Sequence, residues 1–196
     1  HYSLLAALQG AGVDPAKVKI VDLEPQDILA AWQRGDIDAA YVWNPTLASI
    51  AKNGTVLITS ADLAKRGKLT ADLAVVTTAF AKKYPSVVQT WLDQETRAVQ
   101  LFRSNPTDAS AAIARQLNIT PADALDQAKQ LIFLDVSEQA GPKYLGTPGA
   151  PGALAGNLQS AAEFLKAQGL INVTVPPLAT FQAALANQFV AKAAGK

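Results

Sequence analysis

The sequence contains no cysteine and a single histidine, His1. The first absence excludes a disulfide framework, a thiolate metal site and a cysteine nucleophile. The second leaves a catalytic serine without a base that a third group could position, and it argues against a zinc site. No Gly-x-Ser-x-Gly elbow occurs. Gly10-Ala11-Gly12 follows a helical pattern instead of a strand and lacks the rest of a dinucleotide fingerprint. No apolar run approaches the roughly 20 residues of a membrane span, and no charged-then-apolar leader opens the chain. A secreted protein whose signal had been removed has the same composition. Internal repeats and heptads are also missing.

Charge of one sign is equally scarce. Seventeen basic residues stand against sixteen acidic ones, a formal net charge of +1. Nothing in that balance recruits nucleic acid or an anionic membrane, so any small ligand is caught by local geometry. No cofactor and no metal are implied, and an enzyme reading gains no positive support.

What is present is apolar material. Of 196 residues, 49% are hydrophobic, ample for a packed core in one or two domains. Leu4, Leu5 and Leu8 give the first helix its face, stopped by Gly10 and Gly12. Residues 18–22 read as a short strand. Pro25 opens a helix with Ile28, Leu29 and Trp32 on its buried stripe, and Gly35 ends it. Residues 37–43 are the next strand, Pro45 opens a helix that Gly54 closes, and residues 56–58 form another strand. This alternation predicts an α/β fold with parallel strands. The opening helix has no strand before it, so the chain reads as starting partway through a βα unit of a larger protein.

Residues 73–77 form one more predicted strand, after which the pattern turns helical. Pro85 opens a long helix bearing Val88, Trp91, Val99 and Phe102; residues 108–117 follow, and then Thr120-Pro121 marks a strong helix start. Residues 137–152, rich in glycine and proline, read as a loop. Residues 155–168 and 181–192 are the closing helices. Trp32 and Trp91, on apolar stripes, are expected in the core. The shift near residue 75 marks a crossing between two α/β lobes, with a ligand cleft at the carboxyl ends of the strands.

The candidate site residues come from those positions. His1 and Tyr2 stand at a helix start, where backbone N–H groups and the positive dipole end favour an anion. Trp43 and Asn44 leave a strand end, the first suited to pack an apolar linker and the second to donate hydrogen bonds. Glu24 leaves the preceding strand in the same direction. Asp72, just before the crossing strand, suits a ligand ammonium. The bland alternatives are an interdomain packing role for Trp43, a surface pair for Asp72 and a solvated Glu24.

Several runs carry a family resemblance: His1 to Leu8; Ile28-Leu29-Ala30-Ala31-Trp32-Gln33-Arg34-Gly35-Asp36-Ile37-Asp38; Tyr41-Val42-Trp43 with Pro45; Asp72 to Val76; Phe80 to Pro85; and Ala162 to Gly169. They resemble the nitrate/sulfonate/taurine family of periplasmic solute-binding proteins over nearly the whole chain. The resemblance implies a type II periplasmic binding fold of two hinged lobes, with roughly a further hundred residues before the point matching His1. Residues 1–74 would then be most of the second lobe, and residues 75–196 the returning, mostly helical part of the first.

The function it implies is the exported, monomeric solute-binding component of an ABC importer. Such a protein captures taurine or a related alkanesulfonate and delivers it to the membrane permease. Asp72 matches the aspartate expected to hold the amine, Trp43 a cleft aromatic, and His1 and Tyr2 the helix start that holds the sulfonate. Three features depart from the pattern. Ala74 stands where an aromatic is usual, Glu24 where a neutral residue is common, and the loop 146–152 has no counterpart. Two other functions fit the same scaffold: a pyrimidine synthase-like enzyme that consumes a histidine, and a ligand-sensing domain.

Overall fold

Residues 1–196, all described by the computed structural model, form twelve α-helices and one short hairpin. Their contacts divide the chain into two units, His1–Asp72 and Leu73–Lys196.

In the first unit, α1 (Tyr2–Gly10) buries Leu5 and Ala6 and runs into a 3-10 turn, Pro15–Lys17. The Asp14 carboxylate caps that turn by accepting from the Ala16 amide at 3.0 Å. Helix α2 (Pro25–Arg34) has proline at its first position, Asp27 in its first turn and Arg34 in its last, all three favoured there by the helix dipole and capping rules. It stops at Gly35, which takes a left-handed φ of 75°. Helix α3 (Thr46–Ile50) is short and touches α2. The α2–α3 contact is fastened by Trp32, whose indole N–H donates to Asn53 Oδ1 at 2.8 Å and whose ring lies against Gly54. Helix α4 (Ser60–Lys65) starts in a capping box: Thr59 accepts from the Asp62 amide, and Asp62 accepts from the Thr59 amide and hydroxyl. It seats Leu63, 1% exposed, in the contact with α1.

The parallel sheet predicted for this unit is not formed. Residues 18–22, 37–43 and 56–58 carry no strand, and the one sheet in the chain is a two-stranded hairpin elsewhere. Residues 73–77, in the second unit, carry none either. Backbone at the ends of these segments is extended, as at Val18 (φ −115°, ψ 126°) and Thr77 (φ −67°, ψ 144°), so the local preference is expressed. A ladder needs a paired neighbour, and these segments have none; Leu57 and Val75 stay 85% and 92% exposed.

The second unit is helical: α5 (Thr78–Lys83), α6 (Pro85–Ser104), α7 (Pro106–Leu117), α8 (Pro121–Ala128), α9 (Val136–Gln139), α10 (Leu154–Ala167), α11 (Leu178–Ala184) and α12 (Asn187–Ala193). Helices α6, α7 and α8 each have proline in the first turn, and Asn105 and Thr120 cap α7 and α8 by accepting from the Asp108 and Asp123 amides. Leu92, Val136, Ala140 and Val190 form one core cluster, and Leu154, Ala155 and Leu185 a second. Leu145 packs on both. Arg103, near the end of α6, donates to Glu138 at 2.6 Å, to the Phe133 carbonyl at 2.7 Å and to Asp135 at 3.3 Å. The hydrogen bond to Glu138 leads the causes that raise its pKa above the ordinary guanidinium value.

Three expectations need correction here. Trp91 is 50% exposed, because the buried face of α6 runs through Leu92 and Val99, about 100° round the helix. The segment read as one helix over 181–192 is two, because Leu185 turns to an extended conformation (ψ 121°) and buries its side chain beside Leu154 and Ala155. The stretch 137–152 is ordered, holding the end of α9 and the hairpin β1 (Gly146–Thr147) with β2 (Ala150–Pro151), paired antiparallel. Gly146, at φ 72°, and Gly152 make that hairpin possible. A Cβ on either would overlap backbone, at Ala150 and at Tyr144 respectively.

Two outcomes follow. Gly152→Ala destabilises the protein by roughly 3 kcal/mol in urea unfolding. Gly156→Ala, in α10 with open space around the new methyl group, stabilises it by about 0.5–1 kcal/mol. For the α4 cap, hydrogen bonds from the Thr59 hydroxyl and amide hold Asp62 below its ordinary pKa of 3.8. A lowered folded-state value means that its contribution is fully present above 3.8 and is lost as pH falls below it. Asp62→Ala therefore lowers stability at neutral pH and flattens the acid side of a pH–stability profile.

Candidate functional site

All six candidate residues fall in the first unit. His1 is the N-cap residue of α1; its carbonyl accepts from the Leu5 amide at 3.1 Å, while its side chain makes no cap bond. Tyr2 is half-buried in the first turn, next to Ser3, which is 5% exposed. Glu24 is the exposed N-cap residue of α2, and it caps through its backbone only, accepting from the Ile28 amide at 2.9 Å.

Trp43, at the end of the irregular stretch 36–43, is 66% exposed, although Val42 beside it is buried. Its carbonyl accepts from the Leu47 amide at 3.0 Å and so helps begin α3. The Asn44–Pro45 bond that follows is cis. Asn44 is half-buried, and Thr46, one residue past the proline, is 8% exposed. Asp72 is exposed in an irregular stretch ahead of α5.

Glu24, Trp43 and Asn44 lie between the apolar segments and the helices that follow them, but no strands form there, so they do not sit at strand ends. Ser3 and Thr46, both buried, stand close to the candidates. Both are hydroxyl residues in the first turn of a helix, Ser3 next to Tyr2 and Thr46 two residues past Asn44, and that proximity is the signal that could have found them.

An open hollow of about 380 Å³ also lies in this unit, between residues 21–23, residues 36–37 and α2. Val21, Leu23, Ala30, Ala31 and Ile37 line it, with Asp27, Arg34 and Asp36. None of the six candidates contributes. Arg34 is engaged by Asp36 at 2.7 Å, which leaves the Asp27 carboxylate unmatched in that wall, so the hollow is a poor seat for an anion. No group of three or more His, Cys, Asp or Glu side chains is arranged to hold a metal ion. No helix is long and apolar enough to cross a membrane.

Residues 1–118, which include every candidate, match the model of the NMT1-like family. The chain belongs to that family. It is also 36% identical over 177 residues to the taurine-binding periplasmic protein of Escherichia coli (strain K12). That match covers 87% of this chain and 53% of the relative. A second relative from the same organism, named "Putative aliphatic sulfonates-binding protein", is 28% identical over 121 residues, covering 61% of this chain and 37% of that protein. Both names describe binding proteins, not enzymes. The chain spans about half the length, or less, of the curated relatives it matches.

The two tryptophans of this unit separate a possible site role from a packing role. Trp43→Ala is expected to change stability by no more than about 0.5 kcal/mol, the usual range for a surface position. Trp32→Ala removes a ring contact and a hydrogen bond and is expected to cost about 2 kcal/mol. Chemical denaturation of the two variants against the parent reads the difference.

Proposed function

We propose that this protein is the solute-binding component of an ABC importer, exported to the periplasm, which captures taurine or a related alkanesulfonate. It would hold the ligand in a cleft of a two-lobed, hinged fold and hand it to the membrane permease. The observation that carries this reading is the 36% identity with the taurine-binding relative across 87% of the chain. The second relative, named for aliphatic sulfonates, points to the same ligand class.

The chemistry of the candidate residues suits that ligand. A sulfonate is anionic at every cellular pH, so helix N–H groups and neutral donors are enough to hold it, and α1 begins at the His1-Tyr2 position. The two-carbon spacer asks for an apolar wall, and the exposed ring of Trp43 offers one. The ammonium asks for one carboxylate, the role given to Asp72. Asn44 supplies a neutral hydrogen-bonding group. Glu24 serves best pointing away from the sulfonate, since its carboxylate would repel it. Capture of this kind uses no cofactor and works as a monomer.

The test is calorimetric titration of the protein, expressed from its complete reading frame and stripped of bound ligand, with taurine, ethanesulfonate, nitrate and sulfate. Tight binding of taurine supports the reading, and failure to bind either sulfonate sinks it. In the same titration Asp72→Asn is expected to weaken taurine about 10- to 100-fold, the worth of one charge-assisted hydrogen bond, with little change for ethanesulfonate. Equal losses for both ligands would remove Asp72 from the ammonium site.

A further inference from the structure

Of the seven asparagines in the sequence, only Asn53 is followed by glycine; the others precede proline, isoleucine, leucine, valine or glutamine. Proline has no N–H, and a bulky residue shields its own amide, whereas glycine has no Cβ to keep a neighbouring side chain off its nitrogen. The fold leaves this pair accessible. Asn53 and Gly54 lie in the turn after α3, outside every helix and strand, and Asn53 is exposed. The Asn53 amide donates to the Ile50 carbonyl at 3.3 Å, while the Gly54 amide makes none of the backbone bonds that order the turns and caps. Trp32 orients the Asn53 side chain. An indole N–H is a donor only, so the atom it meets at 2.8 Å is the amide oxygen Oδ1. A donor there draws electron density from Cγ and faces the negative charge that builds on Oδ1 when Cγ is attacked.

We infer that Asn53 is a modification site, where the side chain deamidates through a succinimide, and that the isoaspartyl product unfastens α2 from α3. The Gly54 amide nitrogen gives its proton to hydroxide and bonds to Asn53 Cγ; the Cγ–Nδ2 bond breaks and ammonia leaves. Water then opens the ring. Hydrolysis at Cγ leaves aspartate, and hydrolysis at the α-carbonyl carbon leaves isoaspartate, whose main chain runs through Cγ. Either product has gained one water and lost one ammonia. The two act differently on the fold. Aspartate keeps a side-chain oxygen within reach of the Trp32 indole. Isoaspartate lengthens the main chain by one carbon directly before Gly54 and turns the former Oδ1 into a peptide carbonyl. That spot has little slack, since a methyl group on Gly54 would stand 3.0 Å from both the Ile50 carbonyl oxygen and Trp32 Cζ2. The indole that joins α2 to the turn after α3 thereby loses its acceptor. This inference holds or fails without reference to any sulfonate.

The experiment ages the folded chain in warm, mildly alkaline buffer, digests it, weighs the peptides and titrates isoaspartyl groups by enzymatic carboxyl methylation. A mass gain of about 1 Da is expected on the peptide holding Asn53, with an isoaspartyl signal there. It appears about tenfold or more faster than at any other asparagine, as the unhindered glycine nitrogen requires. Asn53→Gln, which must close a larger ring, removes the gain. Gly54→Ala suppresses it too, although the added methyl group crowds the turn, so slowing cannot be put down to a loosened loop. Isoaspartyl chains, separated by chromatography, unfold at lower urea than fresh chains, whereas Asn53→Asp unfolds with the parent. Modification at Asn53 no faster than at the other asparagines overturns the site. An isoaspartyl form with the parent's urea midpoint overturns the unfastening.

Discussion

Backbone hydrogen bonding sets the terms on which everything else in this chain is built. An α-helix satisfies its amides from its own residues, needing help only at the two ends. An extended segment satisfies none of its amides without a neighbour. The helices of both units are therefore in place with their caps: Thr59 on α4, Asn105 on α7, Thr120 on α8 and Asp135 on α9 each accept from an amide three residues on. The apolar extended segments of the first unit stay open for the same reason.

Side-chain packing follows that division. In the second unit, helices from distant parts of the chain meet: Leu92 from α6, Val136 from α9 and Val190 from α12 share one cluster. Arg103 reinforces it from outside by joining α6 to the carboxylates that cap α9. The hairpin at 146–151 places Leu145 against both clusters. In the first unit the buried apolar positions are fewer and lie in helices: Leu5, Ala6, Ala31, Ile50 and Leu63, with Val42 alone drawn from an irregular stretch.

The candidate binding residues sit where these two behaviours join. Trp43, Asn44 and Glu24 are placed where an extended segment hands over to a helix, and His1 and Tyr2 where a helix begins. Loop positions beside rigid elements commonly carry binding groups, because the scaffold holds the backbone while the side chain remains accessible. Trp43 shows the arrangement clearly. Its neighbour Val42 is buried, its carbonyl starts α3, and its ring faces solvent.

Several helix starts and one stop were legible in the sequence alone, because the signals are local: proline at 25, 85 and 121, the cap residue at 120, and glycine at 35. The strands read at residues 18–22, 37–43 and 56–58 are not formed. The family was legible too, in runs such as residues 28–38, and the match over 1–118 establishes it. Tertiary structure decided the rest. It determined whether those segments pair, since pairing depends on a neighbour far away in the chain or outside it. It turned Trp91 outward and Leu92 inward on one helix, split the last helix at Leu185, and folded the glycine-rich stretch into a hairpin. Each of these depends on which surfaces meet, and a linear pattern of residue types does not contain that information.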